Sequence, residues 1–275
     1  MLNLYNNSHY AVFGNPINHS KSPNIHNFFF KKYNLNEKYI RICASKKFFI
    51  KEISEFFQNG GKGANITLPF KEKIYSFCNI LTKRAKISGS VNTLKKIYTN
   101  DIIGDNTDGI GFLTDLISKS LIKKSDNILI LGAGGAARGI IYPLLKFGCK
   151  IYITNRTFEK AQILSEEFKI FGYIKCIKSN QLNKNKFHVV INATSAGIYN
   201  NLSLTIPKDI IFSNTVCYDM FYGNKDTFFM KFCKKLGSKR VYSGIGMLVN
   251  QAAHSFFLWT NIFPNIKNIL KILEI

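Results

Sequence analysis

The sequence predicts an α/β protein of two domains, one of them a Rossmann-like, doubly wound nucleotide-binding unit, on three observations. The chain has 275 residues, above the roughly 100 to 200 of a usual single domain. Strand and helix patterns alternate from end to end, as they do where helices cover largely parallel sheets. At residues 131 to 139, Leu-Gly-Ala-Gly-Gly-Ala-Ala-Arg-Gly follows the apolar run Asn127-Ile128-Leu129-Ile130 directly, so a strand gives way to a helix through glycines.

The elements follow in order. Tyr10-Ala11-Val12-Phe13 predicts a strand, and a helix is expected from about Pro23, with Ser22 as its cap and proline at its first position. Tyr39-Ile40-Arg41-Ile42 predicts a second strand. Phe48, Phe49, Ile53, Phe56 and Phe57 then fall at helical spacing until Gly60-Gly61 ends the helix. Further strands are expected at residues 64 to 68, 92 to 97 and 102 to 104, and a helix near 111 to 118. The second series begins with the strand at Asn127, a helix to about Phe147 and a strand over 149 to 153, and continues to about Tyr242. Two C-terminal helices, near 247 to 260 and 266 to 273, are assigned to the first domain because the nucleotide half already has its strands and helices. The expected division is 1–104 with 243–275 against 105–242.

Composition narrows the function class. Lys and Arg number 38 against 16 acids, a net charge of +22, which favours anionic ligands. The lysines are spread along the chain without a basic block or a nucleic-acid module, so no specific nucleic-acid partner is expected. Lys, Asn, Ile and Phe all have A+T-rich codons, which accounts for the excess more simply. No apolar run approaches the ~18 residues of a membrane span, and the first residues lack the pattern of a signal peptide. A soluble, cytoplasmic protein, monomeric or homodimeric, is expected. The six cysteines contain no C-x-x-C, which predicts reduced core thiols and no metal site.

The glycine junction carries the first chemical reading. Gly132 and Gly134 let backbone approach a ligand, Ala137 keeps helix close to strand, and the helix start offers N–H groups and a positive dipole end to a pyrophosphate. An NAD-preferring site places an acid about 20 residues past the first glycine. Here Thr154-Asn155-Arg156-Thr157 stands there. A neutral amide and a planar cation suit a 2′-phosphate, which moves the expected cofactor from NAD to NADP.

Polar clusters gather at strand ends of the first domain: Ser20-Lys21-Ser22-Pro23, Thr67-Leu68-Pro69-Phe70-Lys71, Asn92, and Gly104-Asp105-Asn106-Thr107-Asp108-Gly109. Taken singly, each reads as a cap, a turn or a solvated charge. Together they resemble the shikimate dehydrogenase family, through His19-Ser20-Lys21-Ser22-Pro23, Gly61-Lys62-Gly63-Ala64-Asn65-Ile66-Thr67, Pro69-Phe70-Lys71, Val91-Asn92-Thr93-Leu94 and the Gly104–Gly109 segment. The resemblance continues through 132 to 139, Thr154-Asn155-Arg156-Thr157, Asn192-Ala193-Thr194-Ser195, Tyr218-Asp219-Met220-Phe221-Tyr222 and residues 244 to 254, nearly the whole chain in order.

The resemblance implies an N-terminal α/β substrate domain, a Rossmann-like NADP domain, and an active site in the cleft between them. It implies reversible NADPH-linked reduction of 3-dehydroshikimate to shikimate, in the chorismate route to aromatic amino acids. Ser20 and Ser22 are implied to hold the substrate carboxylate, Thr67, Asn92, Tyr222 and Gln251 to contact the carboxylate or ring hydroxyls, and Lys71 and Asp108 to form the catalytic pair against the substrate. Moving hydride from a hydroxyl-bearing carbon requires removal of the hydroxyl proton. A lysine can meet the oxygen as charge develops, and which member of the pair is the formal base stays open. Gly132, Ala133, Gly134, Gly135 and Ala136 are implied to cradle the pyrophosphate. Asn155, Arg156, Thr157 and Lys160 are implied to meet the adenosine phosphate, and Thr194, Met220 and Gly244 to lie near the ribose and nicotinamide. Lys160 stands where relatives often carry a second arginine, implying a looser clamp, and Lys83 lies in a segment that is often acidic in relatives. His19, His26 and His254 are expected to make structural hydrogen bonds. Two other readings are a paralogue that takes quinate or uses NAD, where Arg156 opposes NAD and Ser20 with Thr67 and Gln251 favours a shikimate-type pocket, and a silent NADP-binding regulator, which the presence of both Lys71 and Asp108 opposes.

Overall fold

The computed structural model describes residues 8–98, 100–194, 206–223, 225–267 and 269. They fall into two compact units, one within 1–111 and 248–273, the other within 112–247. The sequence put these boundaries at the turns after residues 104 and 242. The helices that follow those turns are unbroken, and the division falls inside them.

The first unit runs β1 (Tyr10–Gly14), α1 (Ser22–Lys32), β2 (Tyr39–Cys43), α2 (Phe49–Gln58), β3 (Gly63–Ile66), β4 (Ile80–Leu81), α3 (Lys83–Ser88), β5 (Thr93–Lys96), β6 (Ile102–Asp105) and the start of α4 (Asp108–Ser118). It closes with most of the helix α8 (Ile245–Thr260). Its six strands lie in the order β2-β1-β3-β5-β6-β4, and β5 runs antiparallel to both neighbours while the other pairs are parallel. That reversal brings the start of β5 to the same sheet edge as the C-terminal ends of β1, β3 and β6.

Period-two alternation sorts the side chains. Ala11, Phe13, Ala64, Ile66 and Leu94 pack in one buried cluster with Phe49, Ile53, Phe56 and Phe57 of α2. Tyr10, from the opposite face of β1, meets Phe30 and Trp259, each at 4.9 Å between ring centroids. Phe29 and Phe30 of α1 both contact Phe256 of α8 at 5.4 Å, and Trp259 Nε1 donates to the Leu94 carbonyl at 2.8 Å.

The second unit runs β7 (Asn127–Leu131), α5 (Gly135–Phe147), β8 (Lys150–Thr154), α6 (Phe158–Phe168), β9 (Ile174–Cys176), β10 (Val189–Asn192), β11 (Val216–Asp219), α7 (Phe228–Lys235) and β12 (Arg240–Ser243). The sheet is parallel throughout, in the order β12-β11-β10-β7-β8-β9. Strand order reverses between β7 and β10, the doubly wound arrangement whose switch point holds nucleotides.

Several local expectations change. Ser22 is the first residue of α1 and not its cap, and Lys21 before it makes no side-chain cap bond. The hydroxyl turned toward the helix start belongs to Ser20, whose Oγ accepts from the Ser22 N–H at 3.3 Å. β3 stops at Ile66, because Thr67 and Leu68 enter a turn that Phe70 N–H closes onto the Thr67 carbonyl at 2.9 Å. α4 begins at Asp108, three residues before the expected start. β4 and α3 were unforeseen; α3 is capped by Thr82, which accepts from the Ala85 N–H. The helix expected over 266 to 273 lies mostly outside the described residues. All six cysteines are free, but not all are core: Cys149, Cys217 and Cys233 are buried, Cys78 and Cys176 half-buried, and Cys43 exposed. Burial pushes the Cys78 and Cys149 thiols up to about 12. Among the described residues no helix is long and apolar enough to cross a membrane.

Candidate active site

The sheet edge where β1, β3 and β6 end and β5 begins gathers most of the polar residues singled out in the first unit. After β3, Thr67 donates its N–H to the Phe13 carbonyl at 2.9 Å, which fixes the turn that carries Lys71. Phe70 anchors that turn by stacking on Phe49 at 4.1 Å. Lys71 Nζ reaches Asp108 Oδ2 at 2.7 Å, with 17% of the lysine side chain and 6% of the aspartate exposed. The pair is thus withdrawn from solvent without being sealed from it.

The neighbours of Asp108 orient its carboxylate. Oδ1 accepts from Asn92 Nδ2 at 2.9 Å, and the Asp108 N–H donates to Asn106 Oδ1 at 3.1 Å. Asn92 Nδ2 also lies 3.3 Å from Gln251 Oε1, and Gln251 Nε2 donates to the Leu248 carbonyl at 3.0 Å. Lys71, Asn92, Asp108 and Gln251 therefore form one hydrogen-bonded group drawn from four places in the sequence. Ser20 and Ser22 are buried beside the end of β1, and Arg41 Nε donates to the Ser20 carbonyl at 2.8 Å. No hydrogen bond joins the two serines or the Thr67 side chain to the Lys71 group among the described contacts. Tyr222 belongs to the other unit, where its ring stacks on Phe221 at 6.0 Å.

Behind this group lies a frame that sequence reading did not assign. Asn65 Nδ2 donates to Thr93 Oγ1 at 3.1 Å and Ser255 Oγ at 3.0 Å, and its Oδ1 accepts from Tyr39 Oη at 2.7 Å. Thr107 Oγ1 meets Ser255 Oγ at 3.1 Å and Asn92 Oδ1 at 3.2 Å, which couples the frame to the site. Asp105, 1% exposed, is gripped by both ends of the Arg84 guanidinium and by Thr82 Oγ1 at 2.6 Å. Asn65, Asp105 and Thr107 sit inside the motifs quoted above. Arg84 and Ser255 carry no sequence signal, being 21 and 162 residues from the partners they hold.

His26 is wholly buried and stacks on Tyr39 at 4.5 Å. Burial lowers its pKa to about 3, against the opposing effect of the Asn65 side chain beside it. His254 packs edge-on against Phe263 at 5.1 Å, and burial with the nearby Arg84 charge lowers it to about 4.

The second unit carries the glycine turn. Gly132 has φ +109, a conformation that disfavours any side chain, and donates its N–H to the Thr154 carbonyl at 2.8 Å. Gly134 is the N-cap of α5 with no side-chain cap, and a Cβ built on it meets nothing within 4 Å. Gly135 and Ala136 open the helix, Ala133 precedes them in the turn, and Ala137 is fully buried against the sheet. After β8, Asn155 Nδ2 donates to the Thr157 carbonyl at 2.8 Å. Arg156, Thr157 and Lys160 are exposed, and neither cation forms an ion pair among the described residues. Thr194 follows β10, Met220 follows β11 and Gly244 follows β12. Ser195 lies outside the described residues. An open glycine turn, an exposed guanidinium and no acid at the end of β8 fit a phosphorylated dinucleotide.

Known proteins fit both halves. Residues 12–94 match the family model described as the shikimate dehydrogenase substrate binding domain, residues 116–201 that of shikimate / quinate 5-dehydrogenase, and residues 244–274 that of the shikimate 5′-dehydrogenase C-terminal domain. The Ael1 enzyme from Pseudomonas putida is similar at 35% identity and TM-score 0.87, with 98% of each chain covered. Shikimate dehydrogenase from Aquifex aeolicus is similar at 33% identity and TM-score 0.86, with 96% of each covered. Shikimate 5-dehydrogenase from Thermus thermophilus, in complex with NADP(H) and shikimate, is similar at 28% identity and TM-score 0.84, covering 95% of this chain and 97% of that one. With its two sheets, its glycine turn and its Lys71–Asp108 pair, the chain belongs to the shikimate dehydrogenase family.

Proposed function

We propose that the protein catalyses the reversible NADPH-linked reduction of 3-dehydroshikimate to shikimate in the cytoplasm, as a monomer or homodimer, on the route to aromatic amino acids. The observation that carries this reading is the 2.7 Å contact between Lys71 and Asp108 at a strand-end edge lined by neutral hydrogen-bonding groups.

Bound NADPH supplies the hydride. The chain supplies the proton: Lys71 Nζ, oriented by Asp108, gives it to the substrate oxygen in reduction, and the pair takes it back in oxidation. Asn92 and the first turn of α4 keep the Asp108 carboxylate aimed at Lys71. Gln251, bonded to Asn92, and Thr67 meet the ring hydroxyls. Ser20 and Ser22 offer hydroxyl donors to the substrate carboxylate. Gly132 to Ala136 leave room for the pyrophosphate, Asn155, Arg156, Thr157 and Lys160 meet the adenosine phosphate, and Thr194, Met220 and Gly244 line the nicotinamide end.

Absorbance at the NADPH band, with shikimate and quinate each offered against NADP and NAD, tests the reading. Turnover fastest with shikimate and NADP is expected. Preference for quinate or NAD would move the chain to a paralogous activity, and no turnover with any pair would sink the enzymatic reading.

A further inference from the structure

β10 and β11 end in two polar side chains that solvent does not reach. Asn192 and Asp219 are both 0% exposed, and they are register partners in adjacent parallel strands. Neither belongs to the set proposed above to touch substrate or cofactor. Buried polar groups persist where their hydrogen bonds are made, and the bonds of this pair run to the turns that follow the two strands.

Asn192 Nδ2 donates to Asp219 Oδ1 at 3.1 Å. Asn192 Oδ1 accepts from the Thr194 N–H at 3.2 Å and from Thr194 Oγ1 at 2.7 Å. Asp219 Oδ1 accepts from the Phe221 N–H at 3.0 Å, and Oδ2 accepts from Thr227 Oγ1 at 2.6 Å. Backbone bonds extend the lattice: Met220 N–H donates to the Asn192 carbonyl and Gly244 N–H to the Phe221 carbonyl, both at 3.0 Å. Burial raises the Asp219 carboxyl above its usual range, while its bonds from Thr227, Phe221 and Asn192 act against that rise. The turns that carry Thr194 and Met220 are thus bonded to one buried amide–carboxyl pair, and the turn that carries Gly244 is tied to it through Phe221. The adenosine-side residues Asn155 and Arg156 follow β8, two strands from β10 across the sheet, and none of these bonds reaches them.

We infer that Asn192 and Asp219 are positioning residues that set the nicotinamide end of the cofactor site and leave its adenosine end untouched, an inference that rests on the NADP reading. Removing one directed hydrogen-bond partner from a buried network shifts the turn that it held. The two ends of the cofactor should therefore respond differently to the same substitution.

Titration calorimetry on the full chain tests this with two probes, NADP and adenosine 2′,5′-bisphosphate, which keeps the phosphorylated adenosine but has no nicotinamide. Asp219→Ala should weaken NADP by about 10-fold or more, the scale of a lost hydrogen bond, and leave the bisphosphate within about twofold of the parent. Asp219→Asn, which keeps an acceptor for the Phe221 N–H, should recover most of the NADP affinity. Asn192→Ala should reproduce the split and carries the test if Asp219→Ala does not fold. Equal loss of both probes would make the pair a general structural element and overturn the inference, as would no loss of either. Failure of the parent chain to bind either probe would instead overturn the NADP reading beneath it.

Discussion

The turn after β7 and the group around Asp108 are built in opposite ways. The turn works by leaving atoms out: Gly134 has open space where a side chain would stand, and a single stretch of sequence makes the whole feature. The Asp108 group works by putting atoms in. Lys71, Asn92, Asp108 and Gln251 come from four segments, and each is held by the others at 2.7 to 3.3 Å. The difference teaches that the first is damaged by adding a methyl and the second by removing a functional group, and that damage should spread only in the second.

The largest break falls in the Asp108 group. Lys71→Ala and Asp108→Asn should each lower kcat by about 10²- to 10⁴-fold, the usual cost of a positioned proton-transfer group. Steady-state rates check it, and near-normal kcat in both variants would remove the pair from the mechanism. On the nucleotide side, Arg156→Ala should raise the NADP KM by about 10- to 150-fold, from roughly 1.5 to 3 kcal/mol for a charge-assisted contact, with little change for NAD. Equal weakening of both cofactors would make the residue a support for its loop. Gly134→Ala sharpens the contrast. It should leave the melting temperature unchanged, because the added Cβ meets nothing within 4 Å, yet raise the NADP KM by about 10-fold through the lost close approach. A fall in stability comparable to the fall in affinity would refute the subtractive picture.

Smaller effects follow. Ser20→Ala and Ser22→Ala should each raise the shikimate KM several-fold and spare the NADP KM. Ser22 is not a helix cap, so its variant should keep the parent melting temperature. If both variants kept the parent shikimate KM, the carboxylate site would have to lie elsewhere. A different kind of effect, on stability and not on activity, concerns the frame behind Asp108. His26, stacked on the Tyr39 that holds Asn65, has its pKa lowered from 6.5 to about 3 by burial. Between those values the unfolded chain binds a proton that the folded chain refuses. Its contribution is therefore intact above pH 6.5 and lost on acidification, at up to about 1.4 kcal/mol per pH unit. Melting temperatures of His26→Phe should fall less than those of the parent between pH 6.5 and 4.5. Parallel curves would show that the ring is not buried in its neutral form.

The contrast also explains what was legible in the sequence. Strand, glycine turn and helix are local, so β7, Gly132 to Ala136 and α5 could be read directly, and the polar end of β8 pointed to NADP. The Asp108 group is non-local. Taken singly, Lys71 and Asp108 read as a solvated lysine and a turn residue, and the family resemblance alone joined them. Arg84 and Ser255 escaped because no short-range pattern marks a residue whose partner lies in another element. Ser22 was misplaced by one position, since a Ser-Pro pair at a helix start fits both cap and first turn until backbone angles are known.

The six free thiols have a practical meaning. Cys149, Cys217 and Cys233 are buried, and Cys78 is half-buried with its thiol pushed up to about 12. At neutral pH these four should react slowly with alkylating reagents, Cys78 and Cys149 because burial disfavours the attacking thiolate, Cys233 because the neighbouring Cys217 and burial do so, and Cys217 because access to it is poor. Cys43, exposed at the end of β2, and Cys176, half-buried at the end of β9, remain. One stands in each compact unit. The unaltered chain thus carries its own pair of dye attachment points, and a donor and acceptor placed there would report the separation of the two units as substrate and cofactor are added.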